Sequence, residues 1–521
     1  MTIRGGAGGA APPGAVPAPL ALSSGRGRWV VAAMVLGSGI AMLDATVVSI
    51  ALPSIGRDFH GGVGTLQWVV TGYTLTVAAF LLLGGALGDR YGRRRIFSIG
   101  VTWFAVASAL CGLAPTAGIL IAARLIQGIG GALLAPGSLA ILQTSFRPDD
   151  RARAIGAWSG LSGVAAAAGP LVGGYLLAVG SWRWVFFINL PVAAAVLAMT
   201  ARHVPESRDL TTSGRIDTVG ATLAAVFLAG LTYGLIEAPT LGWSSPAVVA
   251  CLAAAAVAAP AFLVVERRGA NPMLPLTLFR SRQFSGANGV TFAVYGALGG
   301  ALFLLPVELQ IVKGYSPLES GIALFPLTLV MLTLSARSGA LSARIGPRLQ
   351  MTAGPFIIAA GLALLVRATN PGSYWTQVFP AVLLFALGLA VTVAPLTATA
   401  MGAAPAEHSG VASAVNNVVA RAGGLLAVAV LPLLAGLTGA DALDSGTLAS
   451  GFRTAMLISA VTCAAGGVLA ALTIRNPRRP TVATAVATAV ATAEQEEPTW
   501  HCGVSGPPLN PSLAASEERC A

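Results

Sequence analysis

The chain has 521 residues, 55% of them hydrophobic and only 10% charged, and a mean hydropathy of +0.77. No water-soluble fold of this length needs so much apolar surface, which excludes the soluble globular classes. The net charge of +11 comes from arginines scattered between apolar stretches; they form no continuous soluble face, so a nucleic-acid partner is excluded too.

Residues 1–28 are rich in Gly, Ala and Pro with Arg4, Arg26 and Arg28, and read as a disordered lead. The apolar stretch that follows, 29–53, is too long for a cleaved signal. A bilayer core needs about 20 apolar residues per helical span, and about fourteen such stretches recur. They cover 29–53, 67–87, 97–114, 117–141, 154–178, 184–200 and 219–236, then 247–265, 286–309, 320–341, 349–367, 376–401, 411–436 and 453–474. Past Arg475 the chain turns polar, with a Val-Ala-Thr-Ala run from Val482 to Ala493 too short and too weakly apolar to span. Residues 475–521 read as a disordered tail.

Arginine falls on alternate connections: Arg90, Arg93, Arg94 and Arg95; Arg147, Arg151 and Arg153; Arg202, Arg208 and Arg215; Arg267, Arg268, Arg280 and Arg282; Arg344 and Arg348. Short Arg-rich loops stay in the cytoplasm, which predicts both termini inside a plasma membrane. Cys111, Cys251 and Cys463 lie in spans and Cys502 and Cys520 in the tail, so no disulfide framework follows; His501-Cys502 and Cys520 lack metal-site spacing. No Gly-x-x-x-x-Gly-Lys-Ser/Thr exists and the only lysine is Lys313, which excludes a P-loop ATP engine. A membrane enzyme finds no support in an HExxH, paired histidines or a Gly-x-Ser-x-Gly, and a transporter-like sensor would have only the short tail as a docking site.

After the second stretch comes Gly85-Ala-Leu-Gly-Asp89-Arg90-Tyr-Gly92-Arg93-Arg94-Arg95, and an eroded copy, Gly339-Ala-Leu-Ser-Ala343-Arg344-Ile-Gly346-Pro347-Arg348, follows the tenth. The copy predicts a repeat of stretches one to six by nine to fourteen, with seven and eight inserted. The domains are then 29–200, a six-helix half; 201–283, two inserted helices and their loops; and 284–474, a second half. Asp89 among the arginines favours a charged latch over a simple topology anchor, with Gly85 and Gly92 permitting close approach and a tight turn.

An ionisable residue inside a span is expensive and lines a cavity or pairs. Asp44 and Arg124 lie at matching depth, about 13 Å below one face, and are suited to pairing, with Gln127 one turn from Arg124 on the same helix face. Two readings stay open: a proton cycling on Asp44 breaks and restores the pair, or the pair is permanent and structural. Arg421, with Asn416 and Asn417 a turn before it, either lines the path or packs helices. Tyr73, Phe292 and Tyr295 are candidates for an aromatic substrate surface. Glu237 and Glu308 fall near helix ends on one side and Asp217 near the other, where water lowers their cost, and all three are expected to be interfacial.

These segments together resemble the major facilitator superfamily, and more closely its fourteen-helix drug:proton antiporters, over residues 29–475. The loop signature is complete in Gly85, Asp89, Arg90, Gly92, Arg93 and Arg94. Leu43-Asp44-Ala-Thr46-Val47-Val48-Ser49-Ile-Ala51-Leu52-Pro53 is similar to the first-helix motif, with Ser49 where Asn is usual. Arg124-Leu-Ile-Gln127-Gly128 resembles the proton-coupling motif of the fourth helix, and Trp182-Arg183-Trp184-Val-Phe186-Phe187-Ile-Asn189-Leu-Pro191 resembles a fourteen-helix hallmark. Gly169-Pro170-Leu-Val-Gly173-Gly174 is similar to the antiporter motif, with Ala165 in place of its first glycine. The resemblance implies an all-α integral membrane bundle that works as a monomer by alternating access. It implies efflux of hydrophobic or amphipathic small molecules driven by protons, with no cofactor, and Asp44, Arg124 and Gln127 in coupling. A symporter or uniporter for a nutrient is the alternative. The bias to Arg, Ala and Gly suggests a GC-rich bacterial genome, and export of an endogenous antibiotic as self-resistance.

Overall fold

The computed structural model describes residues 19–208, 217–269, 272–404 and 409–476. Long apolar runs fold as helices because a backbone out of water must satisfy its own hydrogen bonds. Fourteen helices are long and apolar enough to cross a membrane. They are α1 (Gly25–Asp58), α2 (Val63–Tyr91), α3 (Arg93–Leu113), α4 (Ala117–Ser145), α5 (Pro148–Val179), α6 (Trp184–His203, interrupted at Ile188), α7 (Thr218–Leu241), α8 (Pro246–Arg268), α9 (Arg282–Ile311), α10 (Pro317–Ile345), α11 (Pro347–Leu365), α12 (Phe379–Gly402), α13 (Ser409–Leu434) and α14 (Ser445–Thr473). Several run well past the apolar stretch that nucleates them; α1 continues through Pro53 to Asp58.

The same pairings recur in both halves of the sequence. α1 packs on α5 and α6 as α9 packs on α13 and α14, and α4 packs on α2 and α3 as α12 packs on α10 and α11. The turns that carry the two motif copies match as well. Each breaks a helix at a glycine with positive φ, Gly92 at 108° and Gly346 at 86°, whose N–H closes onto the carbonyl four residues back, on Gly88 and Ser342. That conformation strains any residue with a β-carbon.

Between the halves, α5 packs on α10 and α2 on α13, while α7 packs on both α2 and α13 and α8 packs on α7. The inserted pair thus covers one seam of the bundle. Trp68 on α2 donates to Glu237 on α7 at 2.6 Å, so Glu237 is tied to a neighbouring helix.

Two expectations need correction. Residues 19–28 are ordered: Leu20 N–H donates to Ser145 O (2.8 Å), Arg147 N–H to Leu20 O (3.2 Å), and Ser24 caps α1. Backbone pairing to the α4–α5 turn outweighs their Gly- and Ala-rich composition. The expected disorder of 1–18, the tail from 477 onward with Cys502 and Cys520, and Arg215 lie outside the described residues. Glu308 is not interfacial but 0% exposed. Above it Lys313 donates to Asn370 O, and Arg453 on α14 donates to Thr369 and Asn370, so the turn after α9 and the start of α14 close over it. Burial lowers the Lys313 pKa from the ordinary lysine value, with Glu308 acting in the opposite sense. Glu266 is likewise buried, with Leu274 N–H on one oxygen.

Candidate functional site

Asp44 (0% exposed) and Arg124 (1%) meet inside the first half. Arg124 Nη1 donates to Asp44 Oδ2 at 2.5 Å and to Gln127 Oε1 at 2.6 Å. The other carboxylate oxygen, Oδ1, accepts from Gln127 Nε2 at 3.0 Å and from Asn189 Nδ2 at 3.2 Å. Arg124 Nε donates to the Val69 carbonyl at 3.0 Å, and the guanidinium stacks over the Tyr73 ring, 4.5 Å from its centroid. Asn189 also donates to Ser108 Oγ, which donates to Phe186 O. Five helices, α1, α2, α3, α4 and α6, therefore fix one carboxylate. The arrangement meets much of what a buried ion pair requires, close geometry with a partner on each carboxylate oxygen and on Nε and Nη1 of the guanidinium. Without the Asp44 charge, Arg124 would keep two acceptors, Gln127 Oε1 and the Val69 carbonyl, and an aromatic face.

The glycine motif of α5 forms close contacts on two sides. A β-carbon at Gly169 would overlap the Thr46 hydroxyl on α1, and one at Gly173 would lie 3.2 Å from Val47 Cα. At Gly174 it would come within 2.7 Å of Leu318 Cα on α10, and a β-carbon at Gly321 would strike the Pro170 carbonyl. Small residues here let the backbones of the two halves touch. The hydrogen bonds described between the halves lie at the same end: Gln67 Nε2 to Val428 O (2.7 Å) and Gln310 Nε2 to Ile50 O (2.9 Å). That end is opposite the Arg-rich turns.

Residues 34–428 match the sequence profile of the Major Facilitator Superfamily. The chain belongs to this superfamily. It is 38% identical over 397 residues to the multidrug resistance protein Stp of Mycobacterium tuberculosis, covering 76% of this chain and 73% of Stp. It is 36% identical over 428 residues to the tetracenomycin C resistance and export protein of Streptomyces glaucescens, covering 81% and 78%. Among solved structures, it superposes with a TM-score of 0.61 on a bacterial homologue of the human lysosomal transporter Spinster in an inward-facing conformation, at 18% identity and covering 87% and 97%. The chain is thus a multi-span membrane protein with the superfamily fold.

In this superfamily member the Arg-rich turn is anchored within its own half. Arg93 bridges to Asp89 at 2.7 Å, and Arg94 Nη2 donates to Ala201 O. The Glu206 carboxylate accepts the Arg94 and Arg95 backbone N–H groups, capping α3. Arg90 lies over the Tyr91 ring, and Gly85 packs against Pro136.

The residues considered for a substrate surface divide. Tyr73 (3% exposed) is packed beneath Arg124 and against Phe104, and Asn416 is buried in bonds to Asn288 and Thr291. Phe292 is 43% exposed, Asn417 is exposed and bonds its own helix at Ser413 O, and Tyr295 and Arg421 are half-buried. Sequence reasoning missed Asn189, Ser108, the Val69 carbonyl and Glu206 as site-forming groups. The signal for Asn189 was its place in the Trp182–Pro191 segment.

Proposed function

We propose that the chain exports hydrophobic or amphipathic small molecules across the plasma membrane in exchange for protons, by alternating access between the two halves, working as a monomer. The Arg-rich end faces the cytoplasm, with both termini on that side, because positive short loops are retained there. Export confers resistance, and an antibiotic made by the host itself is the natural cargo. The observation that carries the reading is the Asp44 site. One buried carboxylate is held by a guanidinium and two amides, and the guanidinium keeps two other acceptors when that carboxylate takes a proton. The names of the relatives, as resistance and export proteins, support the direction.

In the cycle, deprotonated Asp44 holds α1 to α4 through Arg124. A proton on Asp44 removes that attraction, frees α1 to shift against α5 at the Gly169–Thr46 contact, and so links protonation to the packing between halves. Each charge crossing the membrane potential supplies about 2.3 kcal/mol per 100 mV, and about 1.4 kcal/mol sustains a tenfold gradient, so one proton suffices for useful export.

The test is efflux of a panel of dyes and antibiotics from an efflux-deficient bacterium expressing the chain, with and without a protonophore, beside equally expressed Asp44→Asn. Protonophore-sensitive efflux that Asp44→Asn abolishes is expected. Efflux that survives the protonophore would reject proton coupling.

A further inference from the structure

Arg421 lies near the middle of α13 and, among the described residues, forms no hydrogen bond and no ion pair. Its side chain faces the other half. Val418, three residues before it, packs against the first half's core, and Leu425, four after it, packs against Leu75 and Ala78 on α2; these spacings share one helix face. The acid near this depth is Asp44, whose two oxygens are already taken by Arg124, Gln127 and Asn189.

An arginine at mid-span is costly unless it meets water, a counter-ion or a ligand. Here no counter-ion is present among the described residues, and the neighbouring surface is aromatic: exposed Phe292, and half-buried Tyr295 one turn along the same helix. We propose that Arg421 is the anion subsite of the transport path and that the cargo is an amphipathic organic anion, an aromatic body bearing one carboxylate, sulfonate or ionised phenol. A guanidinium presents a planar fork of donors to such a group. The proposal rests on the reading above only in taking the path to lie between the halves; it requires neither outward direction nor proton coupling.

The test uses the purified full chain in neutral detergent and three probes sharing one fluorophore: dansylglycine (anionic), dansylamide (neutral) and dansylcholine (cationic). Wild type is expected to bind dansylglycine roughly tenfold or more tighter than dansylamide, the range of a charge-assisted hydrogen bond, and dansylcholine weakest. Arg421→Gln should erase the preference, bringing dansylglycine down to the level of dansylamide in the same variant, and Arg421→Lys should keep part of it. Equal binding of acid and neutral probes by wild type, or a preference that survives Arg421→Gln, overturns the proposal, and the wild-type comparison decides even where a variant fails to fold. Absence of efflux in cells with the acid preference intact in detergent sinks the export reading and leaves this one standing. Efflux with no acid preference does the reverse.

Discussion

Asp44 and Glu308 are both buried carboxyls, and each lies on the first helix of its half, α1 and α9. Asp44 has an arginine and two amides on its oxygens, while both Glu308 oxygens have no hydrogen-bond partner. The nearest charges to Glu308, Lys313 and Arg453, are engaged with Thr369 and Asn370. Burial alone therefore does not identify a working charge. What separates the two is the presence of dedicated partners, contributed by α4 and α6 in one case and by no helix in the other. The first half holds a built charge site; in the second half, Asn288, Thr291 and Asn416 make an uncharged network and Arg421 is left for a ligand.

The contrast breaks most visibly at Arg124. Arg124→Ala strands the Asp44 charge, and a loss of about 3–5 kcal/mol is expected, read as a large fall in thermal stability in detergent and in membrane yield. Asp44→Asn keeps the shape but forces one amide to face another, which should cost about 1–3 kcal/mol while abolishing the protonophore-sensitive efflux. Asn189→Ala deletes one of three donors and should cost about 1 kcal/mol, with the proton dependence of efflux retained. Glu308→Gln replaces a buried carboxyl whose oxygens have no hydrogen-bond partner, so thermal stability should change by less than about 0.5 kcal/mol or rise. A loss at Glu308→Gln as large as at Asp44→Asn would erase the distinction between the two carboxyls.

The helical bundle was legible because apolar runs and Arg-rich turns are imposed by the bilayer and repeat along the chain. The Asp44–Arg124 pairing was legible because two charges inside spans at one depth have few other solutions. Asn189 and Ser108 were not, because a neutral polar residue in a helix can satisfy itself on its own backbone, as Asn417 does at Ser413 O. The burial of Glu308 was hidden because distance from a helix end measures depth along one helix, whereas Lys313, Asn370 and Arg453 come from three separate segments. Tyr73 looked like path lining by type, and only the packing of α2 on α4 puts it under Arg124. Glu206 was invisible for the same reason, since its role depends on the α6–α7 connection reaching the N-terminus of α3.

The most direct test of proton exchange at Asp44 is proton counting in liposomes. The purified chain is reconstituted with a pH dye inside, a substrate found in the efflux screen is added, and lumenal pH is followed for wild type and Asp44→Asn. Substrate-driven proton movement by wild type, and binding without proton movement by Asp44→Asn, is the result predicted. Equal substrate-driven proton movement by both proteins would contradict the account and return the Asp44–Arg124 pair to a purely structural part.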